Sequence, residues 1–176
     1  APSFAATVAS GTTKIGDTNN IILTEPGTSQ ATTPPNGVAT IPNADWVWGA
    51  GGVGSSATWE FSFDLTGFDA SSASIKGAVA VDNFVTILLN GTSIFALTAL
   101  DVANFQTVNP FGTVDGTLFN AGANVLTFAA SDSAGVRGMT AEVSVSAAPA
   151  AVPVPAGLPL LAAGLAALTA LRVRRG

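Results

Sequence analysis

Glu60 and Glu142 are carboxylates on the polar sides of two alternating strand patterns. A pair of carboxyl groups about 5–9 Å apart is what hydrolysis of a glycosidic bond requires. Nothing in the sequence brings these two together, and solvated strand faces ordinarily carry some charge. Trp46, Trp48 and Phe68 are aromatics beside turn-rich or Gly-rich stretches. Their faces suit packing against the CH groups of a sugar, and the same rings can instead plug the ends of a β-sandwich. Asp82-Asn83 closes one strand pattern just before a hairpin at Asn90. Carboxylate and amide oxygens suit Ca2+ or a sugar hydroxyl, and they also cap turns by accepting from nearby backbone N–H groups.

Two further patterns match motifs by letter. Gly49-Ala-Gly-Gly-Val-Gly54 spells G-x-G-x-x-G, but a dinucleotide site needs a strand before it and a helix after it. Here an alternating strand pattern follows, so the stretch reads as a flexible loop. Asn90-Gly91-Thr92 spells a glycosylation acceptor, and Asn-Gly is equally the signal of a tight hairpin turn.

The composition removes whole classes of chemistry. The chain has 176 residues with no His, no Cys and no Tyr. The usual zinc sites, Ser-His-Asp triads and Cys-His dyads are therefore excluded, and the fold uses no disulfide. Only 10% of residues are charged, against about 25% in ordinary soluble domains, and the net charge is −5. Basic residues cluster only at the C-terminus, so nucleic acid is not an expected partner. The chain begins Ala1-Pro2-Ser3, which reads as a mature form from which a signal peptide has been removed.

The elements that position these residues follow from period-two patterns. In 58–65, Trp59, Phe61, Phe63 and Leu65 share one face, while Glu60, Ser62 and Asp64 share the other. Strands are also expected at 4–9, 21–23, 73–81, 84–89, 92–97, 125–130 and 139–145. Residues 100–118 are expected to wrap a sheet edge. Seven to nine short strands without a helix indicate an all-β antiparallel sandwich. Its expected core holds Trp59, Phe61, Phe63, Val79, Ile87, Leu89, Leu126, Phe128 and Val143. The domain is expected to span residues 1–147, with a long loop at 28–44. An Ala/Pro linker with a short motif fills 148–157, and an apolar helix with an Arg-rich end fills 158–176.

That last region carries a resemblance. Val152-Pro153-Val154-Pro155-Ala156, then an uncharged apolar run from Leu158 to Leu171, then Arg172, Arg174 and Arg175 resembles the C-terminal sorting signals of the PEP-CTERM class. It is most similar to the Val-Pro-Leu-Pro-Ala variant, with Val154 in place of Leu. The resemblance implies export in a Gram-negative bacterium, a transient inner-membrane anchor and an exosortase-type processing protease as partner. The arginines would stay on the cytoplasmic side. The body resembles the same class through Phe63-Asp-Leu-Thr-Gly67, Val81-Asp-Asn83, Leu89-Asn-Gly91 and the run from Phe119 to Leu126. That implies a galactose-binding-like jelly roll, as in carbohydrate-binding modules.

The sequence as a whole reads as a non-enzymatic, exported surface or extracellular-matrix protein associated with exopolysaccharide. The alternative is a carbohydrate-binding module with a defined glycan site. Polysaccharide and a second copy of the chain are the expected partners outside the cell, and calcium is the one cofactor that Asp82 and Asn83 would suit. The tail reading predicts that the chain recovered from the medium ends within 152–156. Intact-mass measurement checks this, and a chain still ending at Gly176 in the medium would overturn it.

Overall fold

The computed structural model describes residues 4–32, 36–49, 56–133 and 135–151. Among these, eleven strands and one short helix make an all-β fold. In chain order they are β1 (Ala6–Thr13), β2 (Asn20–Leu23), β3 (Gln30–Ala31), β4 (Val47–Trp48), β5 (Ser56–Asp64) and β6 (Phe68–Asp82). There follow β7 (Phe84–Leu89), β8 (Thr92–Leu97), α1 (Ala103–Gln106), β9 (Asn109–Thr113), β10 (Ala123–Ser131) and β11 (Gly138–Pro149). The 152–156 motif, the expected helix from 158, and Arg172, Arg174 and Arg175 lie outside the described residues. Among the described residues no helix is long and apolar enough to cross a membrane.

Pairing builds two layers. One runs β2-β5-β10-β7-β8 and the other β1-β11-β6-β9. The end of β1 lies parallel to β2 through Thr12↔Asn20 and Thr13↔Ile21, which joins the layers along one edge. The hydrophobic alternation decides which side of each strand turns inward. Along β5, Ala57, Trp59, Phe61 and Phe63 are buried, while Ser56, Glu60, Ser62 and Asp64 are exposed. All nine residues expected in the core are buried. The β7–β8 hairpin turns at Asn90 (φ 49°) and Gly91 (φ 85°), the pair of positive φ angles that a type I′ turn demands.

Small residues face large rings both at the junction of the layers and within the second layer. A Cβ on Gly11 of β1 would lie 2.8 Å from the Phe61 ring. A Cβ on Gly77 of β6 would lie 2.2 Å from Phe111 Cζ and 2.6 Å from the Glu142 carbonyl oxygen. Phe111 in turn stands edge-on to Phe128 at 5.8 Å and tilts against Phe95 at 6.1 Å, joining β9 to the opposite layer. The long loop after β2 is tied down by a buried relay: Trp59 Nε1 donates to Ser29 Oγ at 2.8 Å, and Ser29 Oγ donates to Asp17.

The structure departs from the sequence expectations at several places, among them β6, which begins at Phe68 instead of residue 73. β1 runs on to Thr13, through Gly11, instead of stopping near residue 9. Residues 100–118 do not merely wrap an edge; they hold α1 and the edge strand β9. The loop expected at 28–44 contains the two-residue strand β3, which pairs with β4. β11 continues past 147, with Ala148↔Asp69 and Pro149↔Phe68.

Replacing Gly77 with Ala inserts a methyl group where the Phe111 ring and a backbone carbonyl already stand. Overpacking of this kind costs about 1–3 kcal/mol. Gly77→Ala is expected to lower the urea midpoint with an unchanged slope, and a variant as stable as the parent would disprove the close approach.

Candidate functional site

The end of the sandwich where β6 stops and β11 starts gathers polar groups that are elsewhere dispersed. Asp82, the last residue of β6, pairs across with Gly138, the first of β11. Val81 and Met139 point into the core, so Asp82 and the Cα face of Gly138 share the outer side. Gly138 has no side chain, and that space is taken: a Cβ there would lie 2.8 Å from Trp46 Cε3 and 2.7 Å from Thr32 Cγ2. The Trp46 ring therefore lies on Gly138, directly across the strand pair from the Asp82 side chain. Its indole Nε1 donates to the Ala39 carbonyl at 3.0 Å, and Ala39 N–H donates to the Phe105 carbonyl at 2.8 Å. The long loop and α1 thus hold the ring in place.

Amides and a second acid surround the Asp82 carboxylate. Asn83 Nδ2 donates to Asp82, while Asn83 Oδ1 accepts from both the N–H and the Oγ of Ser133, each at 2.8 Å. Asn104 of α1, itself buried, donates through Nδ2 to the carbonyls of Asn83 and Ala99, both at 2.8 Å. Asp82 is 5% exposed and Asp132 9%. Burial raises the Asp82 carboxyl above the ordinary carboxylate range, the nearby Asp132 charge raises it further, and the Asn83 hydrogen bond works the other way. An acid that keeps its proton more readily than usual can both donate to and accept from a hydroxyl.

The sequence candidates divide on this geometry. Trp46, Asp82 and Asn83 come together. Trp48 does not join them: it is 1% exposed and stands edge-on to Trp59 at 5.8 Å, so its faces are covered by the core. The reason is the path of β4. It meets β11 only at Met139↔Val47, and by Gly49 the chain has crossed to β5, where a Cβ would stand 3.5 Å from that of Ala57. Phe68 is half-buried against the core at the opposite end of β6, fourteen residues from Asp82. A three-ring platform of Trp46, Trp48 and Phe68 is thereby corrected to one ring, Trp46.

Glu60 and Glu142 are not brought together either. Glu60 lies on the outer face of β5 and Glu142 on the outer face of β11, in opposite layers. Sheets stack about 10 Å apart with both side chains pointing away, beyond the span of a glycosidase pair. For calcium, Asp82 and Asp132 supply carboxylates, but Asn83 Oδ1 already accepts two hydrogen bonds. Among the described residues no three His, Cys, Asp or Glu side chains gather around one point. Asn90 uses its side chain within the fold, donating to the Leu118 carbonyl and to Asn124 Oδ1 and accepting from Val125 N–H. Asn104, Asp132 and Ser133 were not anticipated as site residues. Each sits in a stretch whose composition signals only a turn.

No protein-family model matches the chain, and no curated protein matches it. Solved structures similar to it include a family 35 carbohydrate-binding module from an environmental isolate, at 14% identity over 79% of this chain and 98% of that one, with a TM-score of 0.41. A CBM35 from Cellvibrio japonicus Abf62 is 12% identical over 84% of this chain and 100% of its own, with a TM-score of 0.41. The CBM36-1 domain of a multidomain xylanase from the hindgut metagenome of Trinervitermes trinervoides is 9% identical over 81% and 99%, also at 0.41.

The raised Asp82 carboxyl has a definite sign in stability. Its folded value lies above its unfolded one, so the proton is bound more tightly in the fold. The contribution is fully present below the unfolded value near pH 4 and is lost as pH rises through the folded value. Asp82→Asn keeps the shape and removes the charge, so it is expected to raise Tm at pH 7 and to change it less at pH 4. Thermal unfolding across pH 4–8 checks this, and a uniform shift at every pH would refute it.

Proposed function

We propose that this chain is a non-enzymatic glycan-binding β-sandwich. The observation that carries the reading is the pairing of an aromatic ring with a polar cluster at one end of the fold. The Trp46 ring lies on Gly138, across from Asp82, with Asn83, Asn104, Asp132 and Ser133 around it. Sugars present CH faces and hydroxyls on the same ring. An aromatic surface takes the first, and carboxyl and amide groups take the second. Loops supply the contacts while two packed layers hold them still. The finer description, a galactose-binding-like jelly roll, rests on the motif resemblance of the body.

Delivery is the second part of the proposal. The Val-Pro-Val-Pro-Ala motif, apolar run and terminal arginines fit a sorting signal read by an exosortase-type protease at the inner membrane. On this reading the domain acts at the cell surface or in the exopolysaccharide matrix, where a chain with no cysteine folds without a disulfide.

The glycan reading is tested by affinity electrophoresis of the full chain in gels containing neutral polysaccharides. Retardation by at least one polysaccharide is expected for the parent. Trp46→Ala should weaken it about tenfold, the worth of one aromatic contact, and Trp46→Phe should retain most of it. Circular dichroism verifies that the variants fold. Equal mobility of the parent and Trp46→Ala on every polysaccharide would refute the site.

A further inference from the structure

Two asparagines in the chain stand before a glycine, Asn36 and Asn90. A following residue without a side chain lets its backbone nitrogen reach the asparagine side-chain carbonyl. The other asparagines are followed by Asn, Ile, Ala, Phe, Pro or Val. Side chains there crowd the approach, and Pro110 after Asn109 has no N–H to give up. The fold treats the two Asn-Gly pairs differently.

Asn90 is locked. Its Nδ2 donates to the Leu118 carbonyl and to Asn124 Oδ1, each at 2.9 Å, and its Oδ1 accepts from Val125 N–H at 3.0 Å. Its own N–H donates to the Val125 carbonyl at 2.9 Å. Both ends of the side-chain amide are thus tied to β10 and to the turn before it. Bringing Cγ onto the Gly91 nitrogen requires these bonds to break together and the hairpin to part from β10.

Asn36 has none of these ties. It is exposed on the loop between β3 and β4, and its side chain makes no hydrogen bond among the described residues. Gly37 is exposed too, with φ 78°, and its N–H makes no backbone hydrogen bond among the described residues. This is the loop that seats Trp46. Three residues on, Ala39 donates its N–H to the Phe105 carbonyl and accepts from Trp46 Nε1. Gly37 itself lies beside α1, where a Cβ would stand 3.8 Å from Gln106 Nε2.

We propose that Asn36 is a self-modification site, which converts without an enzyme to isoaspartate and loosens the seat of Trp46. Base removes the Gly37 amide proton, and the nitrogen lone pair forms a bond to Asn36 Cγ. The Cγ–Nδ2 bond breaks, and Nδ2 leaves as ammonia with a proton from water. Water then opens the five-membered imide. Attack at Cγ breaks its new bond to Gly37 and leaves aspartate. Attack at the Asn36 backbone carbonyl carbon breaks the original peptide bond and leaves isoaspartate, with the main chain now running through Cγ. One water is consumed and one ammonia released, with no oxidation or reduction. Isoaspartate lengthens the main chain by one methylene and adds a carboxylate, just before the Ala39 bonds that hold the Trp46 ring. The inference stands whether or not that end of the fold binds glycan.

The test incubates the full chain at mildly alkaline pH, folded and in urea, and follows the Asn36 and Asn90 peptides by mass spectrometry. In the folded chain Asn36 is expected to convert at least about tenfold faster than Asn90. Enzymatic methylation of the free α-carboxyl identifies the isoaspartate. The rate should rise with pH, because the attacking nitrogen must lose its proton. In urea the two rates should converge, since the fold and not the sequence protects Asn90. Asn36→Gln, whose longer side chain would have to close a six-membered ring, is expected to stay unmodified. The converted fraction, separated by its extra charge, is expected to show faster hydrogen exchange at Ala39 N–H than the parent. An unchanged Asn36 in the folded chain, or equal conversion at Asn36 and Asn90 there, overturns the site. Conversion with unchanged exchange at Ala39 overturns the loosening of Trp46.

Discussion

Aromatic rings set on glycines determine how this fold closes. Phe61 of one layer lies on Gly11 of the other, Phe111 lies on Gly77, and Trp46 lies on Gly138. Each contact needs the space that a side chain would occupy, and each pins a different junction. The first joins β5 to β1, the second packs the Phe111 ring across Gly77 where the edge strand β9 pairs with β6, and the third seats the long loop on β11. The rings supply large apolar area in a fold without disulfides, roughly 1.5–3 kcal/mol for each fully buried large side chain. The same device serves stability inside the sandwich and shapes the candidate site outside it.

Polar groups follow a second rule. A chain with so few charges uses most of its acids locally, as Asp64 does for Thr66 and Asp115 for Thr117. Hydrogen bonds of this kind hold both carboxyls below the ordinary range, with the side chain and backbone of the following Thr as cause. Asp82 is the opposite case. It is buried beside another acid, and burial dominates its shift. A fold selected for stability alone is not improved by such a pair, since apolar residues of similar size pack at least as well. Burial and the neighbouring Asp132 charge thus set Asp82 apart from the acids that serve turns.

Most of the fold was legible in the sequence because β5 and β11 alternate cleanly, and period two leaves no choice of buried face; β7 reads as a continuous apolar run, and the structure buries only alternate residues of it. What was not legible shares one cause: residues that usually end strands here continue them. Gly11 reads as a stop, yet β1 passes through it because the Phe61 ring needs the room. Pro110 and Gly112 hide β9 within five residues; proline is tolerated there because β9 is an edge strand with one side unpaired. The site was half legible. Trp46, Asp82 and Asn83 stood out in the sequence one by one, but their meeting depends on Gly138, which no local pattern marks. Trp48 shows the limit of parity: two residues from Trp46, it would share its face in a continued strand, but β4 leaves β11 after one pair.

The placement of polar chemistry also follows from the topology. In a two-layer fold the inner faces are committed to the core, so recognition has only the ends and the outer faces. An end gathers residues from distant parts of the chain, and here the loop from β2, the β6–β7 turn, α1 and the β10–β11 connection all arrive at one point. An outer face offers instead regular rows with fixed spacing, as in Ser10, Ser144 and Lys76. The first arrangement can enclose a single ring, and the second can lie along an extended chain.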